Sequence, residues 1–205
     1  MTDKGQATKN RLMDIAERLI LNNGVAAMSL EQVISEAGIT KGGFFYHYES
    51  KNALVYALMQ RYRETEAFVF SDLFRRAEEL TPDPLQQMLV FIKLFAETMS
   101  GMDGVHPGCL VASTTYESEQ VNEQVRAITA EIVLDWRRLF REKIENINRV
   151  YSPNIKVSSD DLADMLSAVM EGGIMLSRAL DDPTILEKQL LEYRSYIELL
   201  YRSPT

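Results

Sequence analysis

One cysteine and two histidines are all this chain has of the residues that staple or metallate small folds. A lone Cys cannot build a disulfide framework within the chain and suits a reducing compartment. So few thiols and imidazoles exclude a structural zinc site, and neither metal nor cofactor is expected. No apolar stretch approaches the ~20 residues that cross a bilayer, so no membrane partner is expected either. The opening Met1-Thr2-Asp3-Lys4-Gly5-Gln6 lacks the charged-then-apolar pattern of a secretory leader, and the expected compartment is the cytoplasm. There is no convincing β-strand run, no internal repeat and no low-complexity tract. What remains is ordinary. The 205 residues are 46% hydrophobic and 25% charged, the composition of one large or two small folded domains rather than a disordered acidic tail.

Thirty acidic residues against 22 basic ones give a net charge of −8, which argues against a nucleic-acid partner. The charge is unevenly placed, however. Residues 1–51 hold Lys4, Lys9, Arg11, Arg18, Lys41 and Lys51 against Asp3, Asp14, Glu17, Glu31, Glu36 and Glu49. That segment is neutral, and the whole of the −8 lies beyond it. Any affinity for phosphate must sit in the first quarter of the chain, although charge alone does not establish one.

The apolar residues repeat with the period of an α-helix almost throughout. Leu12, Ile15, Ala16, Leu19 and Ile20 form one face of a first helix, which Asn22-Asn23-Gly24 ends, with Gly24 suited to a left-handed cap. Ser29 opens a short second helix, and Gln32 completes a capping-box pattern. Gly38 breaks it, Thr40 caps a third helix over 41–47, and Ser50 caps a long fourth one with Leu54, Leu58, Tyr62, Val69 and Leu73. Asp83-Pro84 starts a fifth helix, to about Met99, and residues 101–108 form a loop. Helix resumes from Cys109, is interrupted near 118–122, and continues through Ile128, Trp136, Phe140 and Ile147. Ser158 or Ser159 caps the next helix, and Asp182-Pro183 precedes the last, to about Tyr201. The expected fold is all-α: three short helices over 1–50, then a helical bundle over 51–205.

The stretch from Ser29 to Lys51, SLEQVISEAGITKGGFFYHYESK, carries the chemistry. Ala37 lets two helices approach closely, and Gly38 can take the positive φ that a sharp turn needs. This is the pattern of a helix-turn-helix unit, whose second helix can enter the major groove of double-stranded DNA N-terminus first. Thr40 and Lys41 then face DNA. Gly42 and Gly43 each cost the helix up to ~1 kcal/mol against Ala, and offer close backbone approach in return. Tyr46, His47 and Lys51 are donors placed for phosphates. With Ser29 and Phe45 they complete the set expected at DNA. Phe44 and Tyr48 flank the turn as core. Thr8 and Arg11 could touch the DNA backbone.

Here the sequence resembles the TetR/AcrR family of bacterial transcriptional regulators. The resemblance rests on Thr40-Lys41-Gly42-Gly43-Phe44-Phe45-Tyr46-His47-Tyr48-Glu49-Ser50-Lys51, on the Ala37-Gly38 turn and on the Asn23-Gly24 helix end, and covers about residues 8–58 in detail. Gly43 departs from the family by standing where many members carry a polar base-reading residue, and Phe45 by standing where Tyr is common. The resemblance implies a homodimer whose first 50 residues bind a near-palindromic operator. It implies that residues 51–205 bind a small-molecule effector and form the dimer interface, most simply as a repressor that the effector releases.

Several features beyond residue 51 fit that implication and also have plainer readings. Phe68, Phe95, Met99, Trp136, Phe140 and Met170, with Cys109, Ser113 and Tyr116, are the expected effector-contacting set, though Met and aromatic residues are equally core filler. Gly172-Gly173 sits mid-helix, where Gly is unfavourable, and suggests close packing against a partner subunit or a kink over the pocket. Leu166, Val169 and Gly173, with Leu190 and Ile197 of the last helix, are the expected dimer interface. Cys109 at a helix start is either a small buried residue or a thiol sensor. No enzyme signature is present: neither His47 nor His106 has a Glu three residues back, and no phosphate-binding glycine loop occurs. The alternative reading is a helical ligand-binding or thiol-sensing protein without an operator.

Overall fold

The computed structural model describes residues 3–202, the side chains of Asp3 and Lys4 excepted. Met1 and Thr2 of the opening considered above lie outside the described residues. Nine α-helices are found among the described residues: α1 Asp3–Ala27, α2 Leu30–Ala37, α3 Lys41–His47, α4 Lys51–Leu80, α5 Pro84–Ser100, α6 Leu110–Tyr116, α7 Glu123–Asn148, α8 Ser159–Leu180 and α9 Thr184–Tyr201. A short 3₁₀ turn, Ser118–Gln120, lies between α6 and α7. No helix among the described residues is long and apolar enough to cross a membrane.

The helix ends follow the chemistry of their caps. The hydroxyls of Ser29, Thr40 and Ser158 accept from Gln32, Gly43 and Asp161 backbone N–H groups at 3.1, 3.1 and 3.0 Å. Asp83 does the same for Gln86 at 2.8 Å, with Pro84 following it. The capping box expected at α2 is only half formed. The Gln32 amide turns forward and donates to Glu36 at 3.3 Å instead of returning to Ser29. Gly38 takes the left-handed conformation, φ 63° and ψ 34°. Gly24 also has a positive φ, 86°, but its ψ of 167° is extended, so it breaks α1 without forming the expected left-handed cap.

By packing, the chain divides into two compact units, Met1–Glu66 with Pro107–Ile132, and Ala67–His106 with Val133–Thr205. Each takes part of α4 and part of α7. In the first, Leu12, Leu19, Ile20, Val33, Phe44, Leu54 and Leu58 are buried together with Val125 and Ile128. Arg61 of α4 bonds Asp14 and Glu17 of α1 at 2.6 and 2.7 Å, and buried Thr114 and Thr129 hydroxyls meet at 3.0 Å. The second unit is built on an aromatic cluster. Phe74 stacks on Phe91 with centroids 3.8 Å apart, and Phe70 stands edge-on to Phe95 and Phe140 at 5.5 and 5.4 Å. Around it α9 packs against α5 and α8. Tyr193 donates to the Leu162 carbonyl at 2.9 Å, and its burial raises the phenol far above its ordinary range.

The two central glycines of α8 have different surroundings. A methyl on Gly173 lies 2.8 Å from Leu186 Cδ1 and 3.2 Å from Leu186 Cα of α9, whereas a methyl on Gly172 meets nothing within 4 Å. Gly173→Ala is therefore expected to destabilise by about 1–3 kcal/mol through overpacking, and Gly172→Ala to be neutral or to stabilise by up to ~1 kcal/mol. Urea unfolding of the two variants checks this; equal midpoints contradict it.

Glu66 of α4 is half-buried, and the loss of solvent pushes its carboxyl up to about 7. A raised carboxyl disfavours the folded state once it must ionise. Glu66→Gln should match wild-type stability near pH 4. It should become the more stable protein as pH rises from the ordinary carboxyl range to about 7, by on the order of 1–3 kcal/mol, with the gap level above that. Thermal unfolding from pH 4 to 8 reads the difference, and parallel curves refute it.

Candidate nucleic-acid interface

The helix α3 that the sequence assigns to DNA has seven residues, too few to persist alone in water. It is held by one side. Phe44 is wholly buried and Tyr48 nearly so, with ring centroids 6.0 Å apart. The Tyr48 hydroxyl donates to the Lys9 carbonyl at 3.4 Å, and the Lys9 ammonium lies 5.5 Å from the Tyr48 ring centroid. Burial pushes the Tyr48 phenol up to about 12, with Arg61 opposing, so it stays a neutral donor. Both residues are core, as expected.

The opposite side of α3 is open. Thr40, Lys41 and Gly42 are exposed, Phe45 is 45% exposed and Tyr46 78% exposed, while Gly43 and His47 are half-buried. Tyr46 stands edge-on to His47 with centroids 5.0 Å apart. Nothing within the chain demands glycine at 42. A methyl there meets only Thr40 Oγ1 at 3.9 Å, an ordinary contact. The two glycines instead leave the start of the helix bare to whatever approaches from outside. Ser29 is exposed at the start of α2, its hydroxyl used as the cap. Eight of the nine residues expected at DNA thus lie on α3 or at the start of a helix-turn-helix element, and none of the eight is buried.

Lys51 departs from expectation. Its ammonium is half-buried and donates to the Val25 carbonyl at 2.6 Å. Burial lowers its pKa, and the Glu117 charge partly offsets that. Its role in this structure is to tie the start of α4 to the end of α1. Arg11 is likewise engaged, donating to the Glu36 carbonyl at 3.2 Å, and Arg18 pairs with the Glu36 carboxylate. Thr8 is half-buried. Sequence reasoning missed Glu36, Arg61 and Glu117 as the groups that tie α1 to α2, to α4 and to the end of α6. They are long-range partners on helix surfaces, and no local pattern marks them.

The residues of the effector set fall in both compact units. Cys109, Ser113 and Tyr116 belong to the first compact unit, and Phe68, Phe95, Met99, Trp136, Phe140 and Met170 to the second. Phe68 and Tyr116 are 74% and 81% exposed, so neither lines an interior site. Phe95 and Phe140 are spent in the aromatic cluster. Trp136 and Met170 are buried, and Met99 half-buried. Cys109 is buried, and its Sγ accepts from the Ala112 N–H at 3.5 Å as the cap of α6, while Ser113 donates to the Cys109 carbonyl at 3.0 Å. That is the plainer of its two readings.

The dimer set is also corrected. Leu166, Gly173, Leu190 and Ile197 are all buried within the chain's own α8–α9 packing, and Val169 is half-buried. The helix has two apolar faces, and the sequence pattern could not tell which one its own core takes. The exposed face is the other: Met165, Ala168, Met175, Leu176, Ala179 and Leu180, with Gly172 among them half-buried.

Two family descriptions match the chain. Residues 12–58 match "Bacterial regulatory proteins, tetR family", and residues 84–190 match "Tetracyclin repressor-like, C-terminal domain". The HTH-type transcriptional repressor DhaR of Mycobacterium sp. (strain GP1) is 25% identical over 171 residues, 82% of this chain and 80% of that protein. The HTH-type transcriptional regulator LmrA of Bacillus subtilis (strain 168) is 25% identical over 183 residues, 87% of this chain and 90% of that one. A solved TetR transcriptional regulator from Chloroflexus aurantiacus J-10-FL superposes with a TM-score of 0.79 at 25% identity, over 98% of this chain and 99% of that one. A bare recognition helix on a buried aromatic anchor, followed by a helical bundle, accords with both matched segments: the chain belongs to the TetR family of bacterial regulatory proteins.

Proposed function

We propose that this TetR-family DNA-binding transcriptional regulator is a cytoplasmic homodimeric repressor that a small molecule releases from a near-palindromic operator. The observation that carries the DNA part is the exposed, glycine-bared N-terminal turn of α3 above a fully buried Phe44. Residues 1–50 read the DNA in this proposal, and residues 51–205 take the effector and the second subunit. Lys41 donates to a base edge or phosphate. Thr40, Tyr46, His47 and the Ser29 end of α2 meet phosphates, Gly42 and Gly43 admit the backbone close to the groove, and Phe45 packs on a sugar or thymine methyl. Two α3 helices, one per subunit, read half-sites about one helical turn or a multiple apart. An effector that binds better to a state with a different spacing lowers operator occupancy by shifting populations.

Selection of duplexes from a random pool by the wild-type protein, followed by gel shifts, tests the assignment. Lys41→Ala should weaken the selected duplex by about 1–3 kcal/mol and relax its sequence preference. Tyr46→Phe should weaken all duplexes alike. Unchanged affinity in both variants, or no selected sequence at all, defeats the operator reading and favours a helical ligand-binding protein.

The second subunit is assigned to the exposed apolar face of α8. Met175→Lys should place a charge in that interface and convert a dimer at micromolar concentration into a folded monomer in sedimentation. A wild-type monomer, or a Met175→Lys dimer of unchanged affinity, contradicts the assignment.

A further inference from the structure

The end of α1 is held by a group that comes from 91 residues away in the chain. The Glu117 carboxylate accepts from the Val25 N–H at 3.0 Å and, through its other oxygen, from the Ala26 N–H at 2.7 Å. Glu117 is the residue that ends α6, with φ −108° and ψ 37°. Both amides are available because Gly24 breaks the helix, and a methyl on Gly24 would collide with Glu117 Oε1. The adjoining Val25 carbonyl takes the Lys51 ammonium of α4 at 2.6 Å. The next residue, Asn52, accepts from the Asn122 N–H at 3.2 Å, and Asn122 caps α7 by accepting from Val125 N–H at 3.1 Å. One carboxylate therefore meets the chain just before the Ser29 cap of α2, and the first turn of α4 is fastened on both sides.

We propose that Glu117 is the positioning residue that fixes the helix-turn-helix to α6, so that its bidentate contact with Val25 and Ala26 sets the operator-competent placement of α2 and α3. The proposal rests on the operator-binding function above. It adds a specific joint to that function: of the expected effector set, Cys109 caps and Ser113 lies on the same short helix that Glu117 terminates. A displacement of α6 by one end is transmitted by this carboxylate to α1 and, through the Val25 carbonyl and Lys51, to the start of α4. Charge and geometry make opposite predictions here. Removing a negative charge near a DNA-binding segment strengthens its attraction to every duplex. Loosening a positioning contact weakens the operator and leaves non-specific DNA untouched.

Glu117→Gln keeps the shape without the charge and puts an amide donor against a backbone donor. Glu117→Asp keeps the charge but is one methylene too short to reach both amides. The full-length wild type and both variants are compared on the duplex that the wild type selects and on a scrambled duplex. Their folding is checked by circular dichroism, and amide exchange is followed at Val25 and Ala26. Both variants are expected to exchange these two amides faster and to lose about five- to tenfold in operator affinity, with scrambled-duplex affinity and salt slope unchanged. Operator affinity within twofold of wild type in either folded variant overturns the proposal, as does tighter binding of both duplexes by Glu117→Gln alone. If the wild type selects no duplex, it is the operator-binding reading that fails; if it selects one and the variants bind it equally well, only the role of Glu117 does.

Discussion

The burial of Phe44 is the constraint from which the functional surface follows. A helix of seven residues with glycine at two of its first three positions has no stability of its own. It exists because one ring is removed wholly from water and a second, Tyr48, packs against it with its hydroxyl satisfied by the Lys9 carbonyl. Fixing that face fixes the other. With 3.6 residues per turn, inward Phe44 and Tyr48 force Lys41, Phe45 and Tyr46 outward. The glycines are tolerable only because packing, not propensity, supplies the stability. Their absence of side chains is then free to serve an approaching groove.

The same logic explains why the helix-turn-helix needs distant supports. The turn at Gly38 sets the angle between α2 and α3, but nothing local sets their placement on α1 and α4. Arg11 and Arg18 hold α2 to α1 through Glu36, while Arg61 with Asp14 and Glu17, and Lys51 with the Val25 carbonyl, hold α4 to α1. Most of these are ion pairs at partly exposed positions, each worth little singly. Their value is directional, since a guanidinium that must satisfy two carboxylates on a neighbouring helix admits few orientations.

The helices, their caps and the turn were legible in the sequence because each is a local rule. Thr40 three residues before Gly43, and Asp83 before Pro84, announce helix starts without reference to anything distant. The split of α3 into a buried side at Phe44 and Tyr48 and an open one was legible for the same reason. What the sequence concealed was choice between equivalent faces. Residues 166, 173, 190 and 197 have the apolar spacing of an interface, and so do 165, 168, 172 and 175; only the position of Leu186 against Gly173 decides which set the chain keeps for itself. Phe68 and Phe70 illustrate the limit in one turn of helix. Two identical side chains two residues apart are 74% exposed and almost fully buried, and no composition argument separates them. Lys51 fits the motif of a phosphate donor, yet the break at Gly24 presents it with a nearer acceptor.

The neutral first segment of an acidic protein takes on meaning once its cations are traced. Lys9 lies over a tyrosine ring, Arg11 and Arg18 are held by Glu36, and Lys51 by a carbonyl. Among the described residues, Lys41, at the front of α3, is exposed and makes no ion pair. Long-range attraction to a polyanion scales with the number of phosphates neutralised, so a single subunit of this design attracts DNA weakly and without discrimination has little to hold it. Two consequences follow from that poverty of charge. Hydroxyls, backbone N–H groups and close approach at the glycines must carry more of the contact than ammonium groups do. And in the proposed dimer a second recognition helix becomes the means by which modest affinity is multiplied, because the second half-site is met at an effective concentration far above that of free protein. A protein that binds this way is sensitive to the spacing of its two reading helices, which makes spacing an efficient variable for an effector to control.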